Sequence, residues 1–459
     1  MAKIINLGHN LTEFNFVSPK ERLDQYQEAY DRHELGRIDK LIPWSQITES
    51  FRKQGYRKGR KGPQGLFSLK GKIALMFLKS YLNGLSDQAL IDRLNRDVFL
   101  QFFCDVFIPI DQGLTNFKIV SAIRCELSEY LDIDAIQEAL VKKMRPQMEH
   151  PHVAHIDATV YESGIRYPTD VKLLWESCAW IAKQTKKISR AIRVPHQRSK
   201  IKDIKRAYLK YQKSRRKTYK QTMRMRKRLL ALLNKLLHFH MELMDRMGVK
   251  TRDFPKAYLE RYQAIMGVFC QQEHLINGKK IADRIVSLDK PYLRPIVRGK
   301  EIKRVEFGAK VHMVQIDGIN FIEHISFDAF NETTRLISAV HLVRKSTGKI
   351  THLGADNIYP TNKNRKYCSE NKITTCFTRK GRAGKDEKQR QQMQSILAKD
   401  RATRMEGSFG VEKNHYGLNR IRARTRNNEI LWIFFGVHAA NLIRFIRRIP
   451  QQEDLHKTG

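Results

Sequence analysis

The chain has 459 residues, with 86 Lys and Arg against 47 Asp and Glu and a formal net charge of +39. That length gives two or three domains at roughly 150 residues each, and an apolar content of 41% excludes a disordered chain. A surplus of one sign this large calls for a polyanionic partner, nucleic acid first. An anionic membrane surface is the weaker choice.

No stretch approaches the roughly 18 uninterrupted apolar residues of a membrane span. The longest apolar run, Leu431 to Ile446, is interrupted by His438, Asn441 and Arg444. The first ten residues lack the basic start, apolar core and small-residue cleavage site of a secretory signal. The six cysteines are scattered without a Cys-x-x-Cys pair, which argues against a zinc site or a disulfide framework. A cytoplasmic, nucleic-acid-bound protein is expected.

In chain order, residues 1 to about 60 are mixed and polar and end in a basic stretch of Lys53, Arg57, Lys58, Arg60 and Lys61. Leu69, Ile73, Leu75, Met76, Leu78 and Leu82 then recur at helical spacing until Asn83-Gly84 stops the helix. Ser86 can cap a second helix bearing Ala89, Leu90 and Leu94. The pair fits a DNA-reading helix-turn-helix and equally the helical hairpin of any bundle. Helices are expected from Thr115 to about Leu131 and from Ile133 to Met144. At His152 the period changes, and Val153 to Val160 read as a buried strand ahead of Gly164.

From Lys183 to Arg228 there are twenty Lys or Arg and one acid, Asp203, with Tyr208, Tyr211 and Tyr219 interleaved. A solvated helix face would mix both signs; one-signed charge with aromatics fits an arm that grips phosphates. Its candidate contacts are Lys200, Arg206, Arg215, Arg216, Lys217 and Arg226.

Beyond Arg298 the pattern alternates. Lys310 to Ile316, Asp317-Gly318 and Ile319 to Phe327 predict a hairpin with a two-residue turn. A helix through Leu336, Val340 and Val343 follows, then a strand from Ile350 to Ala355, a short strand within 372–378, and a late helix from about Arg401. With the basic block set aside, the order is strand, strand, strand, helix, strand, helix, strand, helix. That order belongs to a mixed α/β sheet with flanking helices.

Acids are scarce on so cationic a chain, and three fall where chemistry needs them. Phosphoryl transfer on DNA needs an activated attacking oxygen and a neutralised leaving oxygen. Two divalent metals about 4 Å apart do both, and hard Mg²⁺ takes carboxylate ligands. Asp157 sits at the end of the first apolar strand and Asp356 at the end of the fourth. Glu406 lies on the late helix, on the same face as Lys413. Each has an ordinary alternative as a cap, a turn residue or an ion-pair partner. Asp317 is turn chemistry, and Glu412, six positions beyond Glu406, points away from it.

At these residues the chain resembles bacterial insertion-sequence transposases of the DDE type, with an RNase H-like core. The resemblance rests on LKSYLNGLSDQALIDRLNRD from Leu78, HIDATVYESGIRYPTDVKLL from His155 and RPIVRGKEIKRVEFGAK from Arg294. It rests also on LGADNIYPTNKN from Leu353 and RMEGSFGVEKNHYGLNRIR from Arg404. Related members carry an Arg where Ala402 stands, with Arg401 and Arg404 the nearby candidates to replace it.

The resemblance implies that Asp157, Asp356 and Glu406 are both catalytic and metal-binding, holding two Mg²⁺ (or Mn²⁺). Lys413, Arg404 and Arg420 would contact DNA. Residues 1–149 would form a helical DNA-end-binding domain, 150–170 the first strand of the core and 171–299 a basic helical insertion. Residues 300–450 would complete the core, ahead of a polar tail at 451–459. The expected partners are the terminal inverted repeats and target DNA, bound by a homodimer in a bacterial, nucleoid-associated setting, with no membrane. A nuclease of the same fold, or a non-catalytic DNA-binding regulator, is the alternative.

Overall fold

The computed structural model describes residues 19–57, 65–195, 198–248, 253–297, 305–384 and 386–449. Lys58, Arg60 and Lys61 of the basic stretch, residues 298–304 of the third motif and the tail 451–459 lie outside the described residues.

Eight helices come first: α1 (Pro19–Arg32), α2 (Glu34–Leu41), α3 (Trp44–Lys53), α4 (Leu69–Tyr81), α5 (Asp87–Leu94), α6 (Val98–Phe103), α7 (Lys118–Ser128) and α8 (Ile133–Met144). Strand β1 (Val153–Ser163) follows, then α9 (Asp170–Ala191), α10 (Ile201–Lys213), α11 (Tyr219–Met247) and α12 (Lys256–Ile276). The remainder is β2 (Pro295–Val297), β3 (Val305–Ile316), β4 (Ile319–Ser326), α13 (Leu336–Thr347), β5 (His352–Gly354), α14 (Asn362–Glu370), β6 (Thr374–Thr375), α15 (Glu387–His415), β7 (Arg420–Ile421) and α16 (Arg426–Ile446).

The sheet is mixed. Along its path the order is β2-β3-β1-β5-β6, with β4 also on β3 and β7 also on β1. β1, β3 and β4 form an antiparallel meander, with Ala154 opposite Ile316 and Met313 opposite Ile322. β5 and β7 run parallel to β1, and β6 runs parallel to β5. The expected turn joins β3 to β4, with Asp317 (φ 48°) and Gly318 (φ 76°) both left-handed, as a tight primed turn requires.

Several expectations shift. β1 runs on to Ser163, since Tyr161 and Ser163 keep the inward alternation past Val160. The late helix starts at Glu387, fourteen residues before Arg401, because its first half is a polar run with little apolar periodicity to mark it. The strand within 372–378 shrinks to two residues.

Helix α4 is buried almost all round, from Gly71 and Ile73 through Ser80, and packs on α16 and α7. The α4–α5 pair is therefore a core hairpin. Helix α16 is long and apolar enough to cross a membrane, yet 89% of its most apolar window is buried inside the protein. Its polar interruptions bond to neighbours: Asn441 Nδ2 donates to the Asn320 carbonyl (2.6 Å), and His438 Nε2 meets Gln137 Oε1 (3.2 Å).

One continuous apolar core joins α2–α8, the sheet, α13 and α16. A second core belongs to α9–α12 and includes Leu174, Cys178, Ile181, Leu229, Leu233, Leu236, Ile265 and Val268. The basic segment thus folds as helices around its own apolar seam. All six cysteines are free thiols.

Candidate active site

Alternation along β1 sends His155, Asp157, Thr159, Tyr161 and Ser163 to one face, and α15 crosses that face. Leu397, Arg401, Met405, Ser408 and Glu412 recur every three or four residues and form the sheet-facing side of α15. Asp356 follows β5, the parallel neighbour of β1. The two aspartates, 199 positions apart, therefore converge on a single side chain. Arg401 Nη1 donates to Asp157 Oδ2 (2.8 Å) and Arg401 Nη2 donates to Asp356 Oδ1 (3.2 Å). The Nε of the same guanidinium is buried without a hydrogen-bond partner.

Asp157 is mostly buried, and burial pushes its carboxyl above the ordinary aspartate range. Arg401 and the amide of Ala158 pull the other way without cancelling it. Desolvation of this carboxyl is therefore a larger effect than one guanidinium repays. One carboxylate from β1 and one from just past its parallel neighbour β5 thus gather around a single positive group.

Glu406 is exposed on α15, with Lys413 two turns further along nearly the same face. Among the described residues, no three His, Cys, Asp or Glu side chains are gathered as a metal cage. The structure thus brings Asp157 and Asp356 together and leaves Glu406 outside their contact. Lys413 Nζ donates to Thr159 Oγ1 (2.9 Å) and lies over the Tyr161 ring, 5.7 Å from its centroid.

Glu412 is fully engaged in the interior. Tyr161 Oη donates to it, and Asn320 Nδ2 donates to its other oxygen (2.6 Å). Burial raises its carboxyl to about 7.

The basic residues named from sequence divide by environment. Lys200 and Arg206 are exposed on or beside α10, Arg206 with Asp203 for company (3.6 Å). Arg215, Arg216 and Lys217 are exposed in the short α10–α11 connection. Arg226 instead turns inward: its Nη2 donates to Gln272 Oε1 (3.0 Å) and lies 3.6 Å from Asp170. Its work is packing of the insertion. Arg404 pairs loosely with Asp400 (3.7 Å). Arg420 donates to the carbonyl of Ile165 (3.0 Å) and so fastens β7 beside the end of β1.

The functional group that residue patterns left open is Arg401. Its place beside Ala402, where the resemblance leads one to expect an Arg, was the available signal.

Residues 21–124 match a family model described as a transposase domain (DUF772). The match covers the N-terminal helices and supports a transposase-family protein. The chain is also similar to an uncharacterized protein, ORF8 in the nfe locus of Rhizobium meliloti. The two are 26% identical over 174 residues, 37% of this chain and 79% of that protein. No solved structure matches the chain.

Proposed function

We propose that this protein is a DNA transposase of the DDE type, built on an RNase H-like core, that cuts at the ends of a mobile element and joins them to target DNA. One observation carries the reading: Asp157 on β1 and Asp356 just past the end of the parallel strand β5 share one cation on the helix that also bears Glu406 and Lys413. The meander followed by parallel strands and the transposase-domain match support it.

Asp157 and Asp356 would hold Mg²⁺, with Glu406 as the third acid. The bound metal would activate the attacking oxygen and neutralise the leaving one. The chain's own part is to keep the two carboxylates converged and to release Arg401 from them. The freed guanidinium and Lys413 then offer positive charge to the phosphates beside the reacting bond. The insertion and the N-terminal helices would hold terminal-repeat and target DNA. A homodimer working on the cytoplasmic nucleoid suits that task. A non-catalytic regulator has one observation in its favour, since Arg401 already satisfies both aspartates.

Cleavage of a labelled duplex carrying the element's ends, with and without Mg²⁺, separates the two. Asp157→Ala, Asp356→Ala and Glu406→Ala should each lose at least about 100-fold in rate, the scale of lost transition-state charge stabilisation. The buried network makes Glu412→Ala a poor control, so Glu412→Gln serves and should retain cutting. A protein that binds the ends but never cuts, with the variants binding equally, is the regulator.

A further inference from the structure

A cleft of about 720 Å³ opens where β1 ends, between the insertion and the sheet, lined by Gly164, Arg166, Lys172, Glu176, Asp289, Lys290, Arg422 and Arg424 among others. Its volume lies within the roughly 300–1,000 Å³ of ligand sites.

Three of its cations stand out. Arg166, Arg422 and Arg424 are exposed, and among the described residues none has a carboxylate within 4 Å. The other charges are spoken for. Lys172 lies 3.9 Å from Glu176, and Asp289 pairs with Arg261.

Lys290, which lines the cleft, is buried and tied down behind it. Glu429, fully buried in the first turn of α16, accepts from Lys290 Nζ and from Ser163 Oγ (2.6 Å), tying three chain segments together. The rim is fastened too: Arg420 holds the Ile165 carbonyl, and the Gly164 amide donates to the Ile421 carbonyl (2.6 Å). A Cβ on Gly164 would sit 2.8 Å from that oxygen, so the close approach needs glycine. Beside the rim, Tyr167 is 72% exposed and rests edge-on against Phe307.

Three unneutralised guanidiniums, with an exposed aromatic ring alongside, form a receptor for sugar–phosphate backbone. Gly164, the residue after β1, lies seven positions from Asp157, about 23 Å of extended chain at roughly 3.3 Å per residue.

We propose that this cleft is a second DNA site, gripping backbone phosphates that flank the reacting bond. It is separate from the aspartate pair and from the basic α10–α11 connection. It rests on the transposase reading for its partner and stands apart from it in its test.

The test is binding of a random-sequence fluorescent duplex across 50–200 mM salt, comparing wild type with Arg166→Gln/Arg422→Gln/Arg424→Gln. Thermal unfolding of the variant serves as the folding check. Each phosphate contact adds about 0.9 to the salt slope. The variant's slope should therefore be shallower by about 2.7, so that wild type loses about 40-fold more affinity than the variant over that range. On a duplex carrying the element's ends, where binding has a fixed register, ethylation interference should disappear at a short run of phosphates. Equal slopes with unchanged unfolding overturn the cleft and leave the transposase reading standing. A protein that binds no duplex overturns both. If deoxyadenosine monophosphate binds wild type and not the variant while duplex affinity is equal, the cleft is a small-anion pocket and the proposal fails. A wild type that shows the slope difference from the variant yet never cuts an element-end duplex with Mg²⁺ sinks the catalytic reading and keeps the cleft.

Discussion

Glu412 and Asp157 meet the same physics with different outcomes. Both carboxyls are pushed up by burial, but Asp157 is hydrogen-bonded by a guanidinium, whereas Glu412 accepts from the neutral donors Tyr161 and Asn320 and feels the charges of Arg444 and Lys413 without bonding to them. Asp157 is thus held in an ion pair with Arg401, and Glu412 is kept as a polar strut between α15, β1 and the start of β4. The strut has a pH signature. With its carboxyl raised from the ordinary value of 4.5 to about 7, the native protein holds a proton that the unfolded chain releases from about pH 4.5 upward. The native state binds more protons across that window, so Glu412 makes stability fall as pH rises through it. Glu412→Gln keeps the shape and removes the titration. Urea unfolding at pH 5 and pH 8 should show the variant gaining on wild type by up to about 3 kcal/mol at the higher pH. Parallel changes in both proteins would mean that Glu412 stays ionised in the fold.

Two motifs more than 300 residues apart meet at one junction between elements. The turn after α4 and the turn after α15 touch through Gly84 (φ 65°) and Gly417 (φ 71°). Asn83 Nδ2 donates to the Asn414 carbonyl (2.9 Å), and its Oδ1 accepts from the Gly417 amide (3.0 Å). A Cβ on Gly417 would lie 2.9 Å from the backbone of Gly84, besides requiring a left-handed conformation. Gly417→Ala should therefore cost about 1–3 kcal/mol, read as a lowered denaturant midpoint at unchanged slope; a midpoint within error of wild type would show that the junction yields. The sequence showed Asn83-Gly84 as a helix stop and Gly417 only as part of a motif, and gave no sign of their meeting. The same division holds for the site. Asp157 and Asp356 stood out as acids next to apolar strands on a cationic chain, although Asp157 lies in mid-strand because β1 runs on to Ser163, and only Asp356 follows a strand end. Arg401 stayed one of two candidates, because only the crossing angle of α15 decides which arginine reaches the sheet. The cleft was hidden, since its arginines come from loops that lie 256 positions apart, at Arg166 and Arg422. The first half of α15 was missed for want of apolar periodicity, and β7, two residues long, is too short to read.

Over the whole molecule, charge and core are partitioned. The segment from Lys183 to Arg228 carries a net +19 of the chain's +39, yet the insertion still closes an apolar seam between α9, α11 and α12. Its surplus must therefore face outward, and self-repulsion on that surface is what a polyanion relieves. Position within the insertion decides what each arginine does. Arg215, Arg216 and Lys217 project from the α10–α11 connection, whereas Arg226 is 12% exposed against Asp170 and Gln272. Contacts of the first kind bind phosphates without reading bases. Arg215→Gln/Arg216→Gln/Lys217→Gln should weaken an element-end duplex and a random duplex by the same factor. Its salt slope should be shallower by about 2.7 and its unfolding temperature unchanged. Arg226→Gln should do the reverse, lowering the unfolding temperature through the loss of a largely buried charged hydrogen bond, about 1.5–3 kcal/mol, with little effect on the salt slope. Fluorescence anisotropy and a thermal melt on the two variants check both halves. A triple variant that loses end binding while keeping random-duplex binding would move the connection from backbone grip to sequence reader.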